Sequence, residues 1–489
     1  MRRTTRRRFL EQSMFATAAT MAVQSRLASQ TLGDDDKSPK VGPNDTILVA
    51  VVGAGGRGQS HIDGFAGKPG TEVTHICDCD ERAGQNACDV AAEKQKGRKP
   101  VWVKDVRKLL EDNSIDAVSI ATPNHWHSLG AIWAVQAGKD VYVEKPVSHN
   151  VFEGRRLVQI ARKHNRIVQT GTQCRSNPGM RDAMAFIHGG GIGEVRVARG
   201  LCYKRRESIG PKGNYSVPAN VDYDLWSGPA PILPVTRQRF HYDWHWQWAY
   251  GNGDLGNQGI HQMDLCRWAL NEKKICDRTF SLGGRLSYDD AGETANTQIV
   301  LHEFGSKQLI FEVRGLPTEN YKGAMIGIIV EGSKGYLVMT SYDEGTIFDL
   351  EGRAVKQFSG GSDHHHYSNF QDAVRKRDHK LLNADVEEGH LSSSLCHLAN
   401  ISLRLGTNVD SADVGGKIKD LQGPANLTEC WGRTQEHLAT NQVSNYQIKV
   451  GPRLVLDPIS ETFPGNAEAN TMLTRDYRPG YQVPVDATV

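Results

Sequence analysis

The chain has 489 residues, 38% of them hydrophobic, with 50 glycines and a formal net charge of +2. At ~150 residues per domain this length holds two or three domains, and a core that needs no disulfide or metal staples. The composition excludes a disordered chain, a collagen and a multi-span membrane protein, and the near-neutral charge argues against non-specific nucleic-acid binding, which needs a basic field.

Six Arg and one Glu fall within residues 1–28, so the remainder is slightly acidic. Thr5-Arg6-Arg7-Arg8-Phe9-Leu10 precedes a weakly apolar run over 13–23. That run is too short to span ~30 Å of hydrocarbon as a helix. A basic start, a short apolar stretch and small residues after it read as an export signal. The pattern resembles a twin-arginine signal, so the expected partner during export is the twin-arginine translocase and the expected destination is the periplasm or beyond. The nine Cys are odd in number and thinly spread. They form no disulfide framework, as suits a chain that folds in a reducing cytosol before export. Residues 29–45 read as a polar linker.

From 46 onward, strand and helix patterns alternate. Strands are predicted at 46–52, 73–77, 101–103, 117–121, 141–143 and 167–169. Helices are predicted between them, at about 81–96, 106–110, 128–137 and 152–164. Such alternation marks a doubly wound parallel sheet over 46–170. Beyond it, apolar and polar residues alternate at 195–201, 298–304, 308–314, 326–331 and 335–339. That pattern predicts a large, open, mainly antiparallel sheet with one solvated face. Helices are predicted at 257–270, 367–375 and 387–405. The fold class is therefore α/β: a Rossmann domain at 46–170, then an α+β substrate and oligomerisation domain at 171–406. A C-terminal extension at 407–489 is expected to wrap over the surface.

Gly53-x-Gly55-x-x-Gly58 follows the first strand and opens a helix. Gly53 permits the tight turn, Gly55 lets backbone approach a pyrophosphate, and Gly58 lets helix and strand pack closely. Gly56 and Arg57 complete the loop. The helix start offers free N–H groups and a partial positive charge to phosphates. Asp78 ends the second strand, where a carboxylate can accept both ribose hydroxyls of NAD and repels a 2′-phosphate. NAD is therefore preferred over NADP.

Three further stretches bring a family into view: Ala121-Thr122-Pro123-Asn124-His125-Trp126-His127, Glu144-Lys145-Pro146, and the run from Gly253 to Asp264. With the glycine loop they resemble the Gfo/Idh/MocA oxidoreductases over about 46–406. The resemblance implies a nicotinamide domain, a large sheet supplying the substrate surface, carbohydrate substrates and a homo-oligomer. It places Thr122, Pro123, Asn124, His127 and Glu144 beside the cofactor. The family usually has Asp where this chain has Asn257, and Asn cannot carry a proton.

Lys145 lies just past a parallel strand, on the ligand-binding edge, where an ammonium can hydrogen-bond a substrate hydroxyl. His261 and Asp264 share a helix face, so His261 can take the hydroxyl proton and Asp264 can fix its tautomer or anchor the helix. Gln173 and Arg175 reach toward the ribose or the substrate. His245 and Trp246 are the expected sugar contacts within an aromatic run. No metal site is expected: His364-His365-His366 are adjacent and cannot converge on one ion. The expected function is an NAD-dependent oxidoreductase of a sugar, polyol or glycoside with a tightly held cofactor. The alternatives are a glycoside hydrolase or lyase working by transient oxidation and elimination, and a non-catalytic sugar-binding protein with vestigial NAD.

Overall fold

A computed structural model describes residues 45–421 and 423–485. The predicted signal at 1–28 and all but the last residue of the predicted linker lie outside the described residues. The first unit runs β1 Ile47–Val52, α1 Gly56–Phe65, β2 Thr71–Cys77, α2 Glu81–Lys94, β3 Val101–Val103, α3 Val106–Leu109, β4 Ala117–Ile120, α4 Asn124–Gln136, β5 Asp140–Val143, α5 Val151–Lys163 and β6 Val168–Thr170. Its six strands are parallel, in the order β3-β2-β1-β4-β5-β6. Strands β4 and β5 are wholly buried, because helices cover both faces of the sheet. Asp80 and Asn150 start α2 and α5 by accepting the N–H groups of Ala83 and Glu153.

The second unit runs α6 Pro178–His188, β7 Val195–Cys202, α7 Tyr223–Ser227, α8 Gly253–Asn257, α9 Gly259–Ala269, β8 Arg278–Gly284, β9 Thr297–Phe304, β10 Lys307–Arg314, β11 Ile326–Gly332, β12 Gly335–Met339, β13 Glu344–Phe348 and β14 Ala354–Ser359. It continues with α10 Asp363–Lys376, α11 Val386–Arg404, β15 Thr407–Asp410, α12 Val414–Ile418, α13 Leu427–Thr440, β16 Gln447–Val450, β17 Leu454–Val455 and α14 Ala467–Thr471. The sheet is 11-stranded and antiparallel except where β10 pairs with β7 in parallel. Helices α9 and α11 bury one face through Met263, Cys266, Leu395 and Ala399.

The helix predicted at 257–270 is α9, Gly259–Ala269, with the short α8 meeting it at Gln258. Two expectations need correction. The helix predicted at 128–137 starts at Asn124, so Asn124 and His127 sit in its first turn. The segment beyond 406 is more than a surface wrap. Its strands β15 and β16 extend the second sheet, and α12 and α13 lay Val414, Ile418, Leu427 and Trp431 over Leu282, Ile299 and Leu301. Much of the face predicted to be solvated is therefore covered by the chain itself. The last described residues cross back to the first unit, where Tyr481 packs against Trp126 and Trp133.

Candidate active site

The strand order of the first sheet reverses between β1 and β4, opening a crevice at their carboxyl ends. Gly53 stands there with φ +83°, and a Cβ on it would lie 2.7 Å from the backbone of Ala121 and Thr122. A Cβ on Gly58 would lie 2.0 Å from the Gly53 carbonyl oxygen, so only glycine lets α1 approach β1 this closely. At Gly55 and Gly56 a Cβ would meet nothing within 4 Å; this side of the loop faces open space. The α1 N-terminus carries no side-chain cap and no acidic residue in its first turn. Its free N–H groups and positive end remain available to an anion.

The loop opens into a cavity of about 570 Å³ that runs from Asp78, past the glycines, Thr122, Pro123, Asn124 and His127, to Glu144, Lys145, Asn257 and His245. Asp78 Oδ2 accepts the Ala54 N–H at 2.7 Å, and Oδ1 accepts the Asp80 N–H at 2.9 Å. Burial raises its carboxyl, and those two amide bonds oppose the rise. Each oxygen retains acceptor capacity for a hydroxyl. The donor set therefore fits a dinucleotide: open glycines and bare helix N–H groups for the pyrophosphate, a fixed carboxylate for the ribose.

Glu144 is the hub of the site and is 3% exposed. Its Oε1 accepts from Arg57 Nε at 2.8 Å, His61 Nε2 at 3.2 Å and Gln173 Nε2 at 3.1 Å. Its Oε2 accepts the Lys145 N–H at 3.2 Å. Burial alone would raise this carboxyl, but the charges of Arg57 and Lys145 and the His61 bond outweigh it and hold it well below the usual range. His61 is fully buried, and its Nδ1 faces Ser119 Oγ at 2.8 Å, so one neutral tautomer donates to Glu144 and accepts from Ser119. Arg57 also reaches Asp363 at 3.1 Å.

Lys145 precedes a cis peptide bond to Pro146. Its Nζ donates to the backbone oxygen of Asn257 at 2.9 Å. Burial lowers its pKa, and Arg57, Lys204 and Arg206 lower it further against the pull of Glu144. His261 is 6% exposed and, unlike Lys145 and Asn257, is not among the residues lining the cavity; its ring lies 4.9 Å from that of Tyr342 and its Nδ1 has no partner. Burial, then the charge of Lys145, holds it well below 6.5, so it is neutral. His127 lies 2.7 Å from both the Thr122 and Pro146 carbonyls and ties the two cofactor-side loops together. Asn124 donates to Asn252 at 3.2 Å.

The remaining candidate residues lie elsewhere. The Asp264 carboxylate accepts from Arg175 and from Ser392 at 2.7 Å each and makes no bond to His261, so it anchors α9 to its neighbours. Arg175 is 4% exposed, pairs with Asp264 and Glu388, and is a core ion pair away from any substrate. Gln173 reaches Glu144 and Tyr142 rather than a ribose. Trp246 is 4% exposed and packs with Ile209 and Ala291, outside the cavity lining. The aromatic side chains in that lining include Tyr242, Trp244 and His245, with His245 stacked on Trp244 at 3.7 Å. Sequence reasoning does not find His61 or Asp363. A lone polar side chain on the apolar face of a predicted helix is the one signal that points to His61.

The comparisons agree with this architecture. Residues 47–172 match the oxidoreductase family's NAD-binding Rossmann fold, and residues 206–438 match its C-terminal alpha/beta domain. Inositol 2-dehydrogenase 1 of Saccharopolyspora erythraea is 35% identical over 206 residues, 40% of this chain and 58% of that protein. A glycosyl hydrolase family 109 protein of the same organism is 29% identical over 178 residues, 35% of this chain and 39% of its own. The matches thus span less than two thirds of these curated relatives. Levoglucosan dehydrogenase, solved with NADH and levoglucosan, superposes with TM-score 0.55 at 18% identity over 72% of this chain and 95% of its own. The WlbA dehydrogenase of Bordetella pertussis, solved with NADH and UDP-GlcNAcA, does so with TM-score 0.54 at 19% identity over 72% and 94%. With both domains matched in order around this cavity, the chain belongs to the Gfo/Idh/MocA oxidoreductase family.

Proposed function

We propose that this protein oxidises a hydroxyl of a sugar, polyol or glycoside with NAD as hydride acceptor. The observation that carries the reading is the single cavity joining the glycine loop and Asp78 to Lys145. Bound NAD would supply the hydride-accepting carbon. The α1 N-terminus and Gly55–Gly56 backbone would hold its pyrophosphate, and Asp78 its ribose. The Lys145 ammonium, aimed by the Asn257 carbonyl, hydrogen-bonds the reacting hydroxyl and stabilises negative charge growing on that oxygen. His261, neutral and close enough to Lys145 to feel its charge though not in the cavity lining, is the base this reading assigns to the hydroxyl proton. Trp244 and His245 offer aromatic faces to a sugar ring.

Two outcomes follow. Because burial keeps His261 neutral well below 6.5 and lowers the Lys145 pKa from 10.5, oxidation should show no loss on the acid side near 6.5 and an alkaline limb that sets in below 10.5. It should fall on the alkaline side as Lys145 loses its proton, and a pH profile of kcat/KM checks this. Asp78→Ala should weaken NAD at least ~10-fold, the worth of about one good charge-assisted bond, and narrow the preference over NADP. Titration with both nucleotides reads that change.

The reading is tested by incubating the protein with NAD and a panel of sugars and polyols. Growth at 340 nm is expected with one class. The similarity to glycosyl hydrolase family 109 proteins favours a second outcome, in which an aryl glycoside releases its phenol with no net NADH. The reading also includes twin-arginine export with the cofactor already bound. The edge strand β14 exposes Val355 at 62%, and a homo-oligomer formed there belongs to the same proposal.

A further inference from the structure

The loop after Pro146, the segment leading into α8, the end of α11 and the residues around the end of α14 meet at a second cavity of about 330 Å³. It is separate from the first. Asn124, in the wall of the first, bonds Asn252, in the wall of the second, and Asn252 in turn donates to the His149 carbonyl at 3.1 Å.

The charged lining is two guanidinium groups, Arg404 and Arg475, with no carboxylate among the lining residues. Several inward-facing arginines in this protein hold carboxylates: Arg175 holds Asp264, Arg267 holds Glu388, Arg433 holds Glu312. Arg237, 1% exposed, is instead held by the Phe240 carbonyl and the Gln247 side chain. Arg404 and Arg475 form no ion pair among the described residues. Arg475 donates to the Ala249 carbonyl at 3.1 Å and contacts His149 Nδ1 at 3.3 Å. The carboxylates that act on these two groups from outside the lining are engaged elsewhere: Glu153, near Arg475, accepts from the His149 N–H, Asn150 and Tyr477, and Glu293, near Arg404, accepts the Trp248 N–H at 2.8 Å. Arg404 lies against the Trp248 ring, 5.1 Å from its centroid. The cavity also takes in two imidazoles with one unpartnered nitrogen each, His149 Nε2 and His397 Nδ1, and His397 is only 4% exposed. Arg404 is exposed and Arg475 half-buried, and neither guanidinium has a carboxylate in ion-pair reach among the described residues, while the buried His397 ring keeps one nitrogen unpartnered. An oxyanion would pair with the two guanidinium groups and the hydroxyls of its carrier with the ring nitrogens, and the volume suits a small molecule.

We infer that this second cavity binds a monosaccharide-sized oxyanion, a sugar bearing a carboxylate or a phosphate, with its anionic group between Arg404 and Arg475 and its ring beside Trp248. The site uses neither Lys145 nor the nucleotide cavity, so it stands or falls apart from the oxidoreductase reading.

The test is calorimetric titration of the full chain, NAD present, with glucuronate, glucose 6-phosphate, inorganic phosphate and neutral glucose. The variants are R404Q, R475Q and K145M. One sugar acid is expected to bind to wild type and to K145M alike, at least tenfold more weakly to R404Q and R475Q, and more tightly than inorganic phosphate. Whichever sugar acid binds names carboxylate or phosphate. Arg404 is exposed, so R404Q keeps the test open should R475Q fail to fold. No binding of either sugar acid, binding unchanged by R404Q, binding abolished by K145M, or inorganic phosphate binding as tightly would overturn the inference.

Discussion

Lys145→Met is expected to lower kcat for any accepted sugar by ~10²–10⁴-fold, the usual worth of a positioned proton donor or acceptor, while the protein stays folded and still takes up nucleotide. The reason is local. Lys145 makes one side-chain bond, to the Asn257 carbonyl, and no ion pair among the described residues. Methionine is close to it in length and replaces the lost contact with apolar packing. The loss should fall on kcat more than on KM, because the ammonium acts chiefly on charge that develops during reaction. Single-turnover formation of NADH separates the two.

Glu144→Ala should do more damage to the fold than any other substitution in the site. The carboxylate serves Arg57, His61, Gln173 and the Lys145 backbone at once. Its removal leaves His61 buried without its acceptor and leaves Arg57, whose side chain is 34% exposed, with Asp363 alone. Breaking a fully buried pair from one side costs about 3–5 kcal/mol, and water at Arg57 puts this loss at or below the low end of that range. Denaturant unfolding of the variant against wild type measures that loss. The sign with pH follows from the depressed carboxyl. Its contribution is fully present above ~4.3, where the unfolded group ionises, and is lost as pH falls toward the lower native value. Wild type should therefore lose more stability on acidification than Glu144→Ala does. Glu144→Gln also removes a charge that raises the Lys145 pKa, so the alkaline limb of its rate profile should move to lower pH.

Much of the site is legible in the sequence because local chemistry encodes it. Gly53 and Gly58 occupy positions that admit only glycine, and such positions announce themselves by spacing. The parallel strands read clearly because burial on both faces demands unbroken apolar runs such as Ile47–Val52. Residues whose partners are distant in sequence are harder. Arg175 reads as available for a substrate, yet Asp264, 89 positions away, and Glu388 hold it in the core. His61 reads as an ordinary helix residue until the chain after β5 and β6 brings Glu144 and Gln173 beside it. Strands β15 and β16 escape sequence reading because they are four residues each and mostly exposed, so they carry no hydrophobic pattern. Trp246 and Trp244 differ by two positions in an aromatic run, and only the tertiary turn at Asp243–Trp246 decides which meets the cavity.

The central claim is that one cavity brings a resident nicotinamide to a carbohydrate hydroxyl under Lys145. The direct measurement is absorbance from 250 to 400 nm of the protein purified without added cofactor, during addition of a panel of sugars and polyols, for wild type and K145M. The account expects nucleotide in both proteins and a 340 nm band that changes with one sugar class in wild type only. No nucleotide even after denaturation, or an equal 340 nm response in K145M, would contradict it.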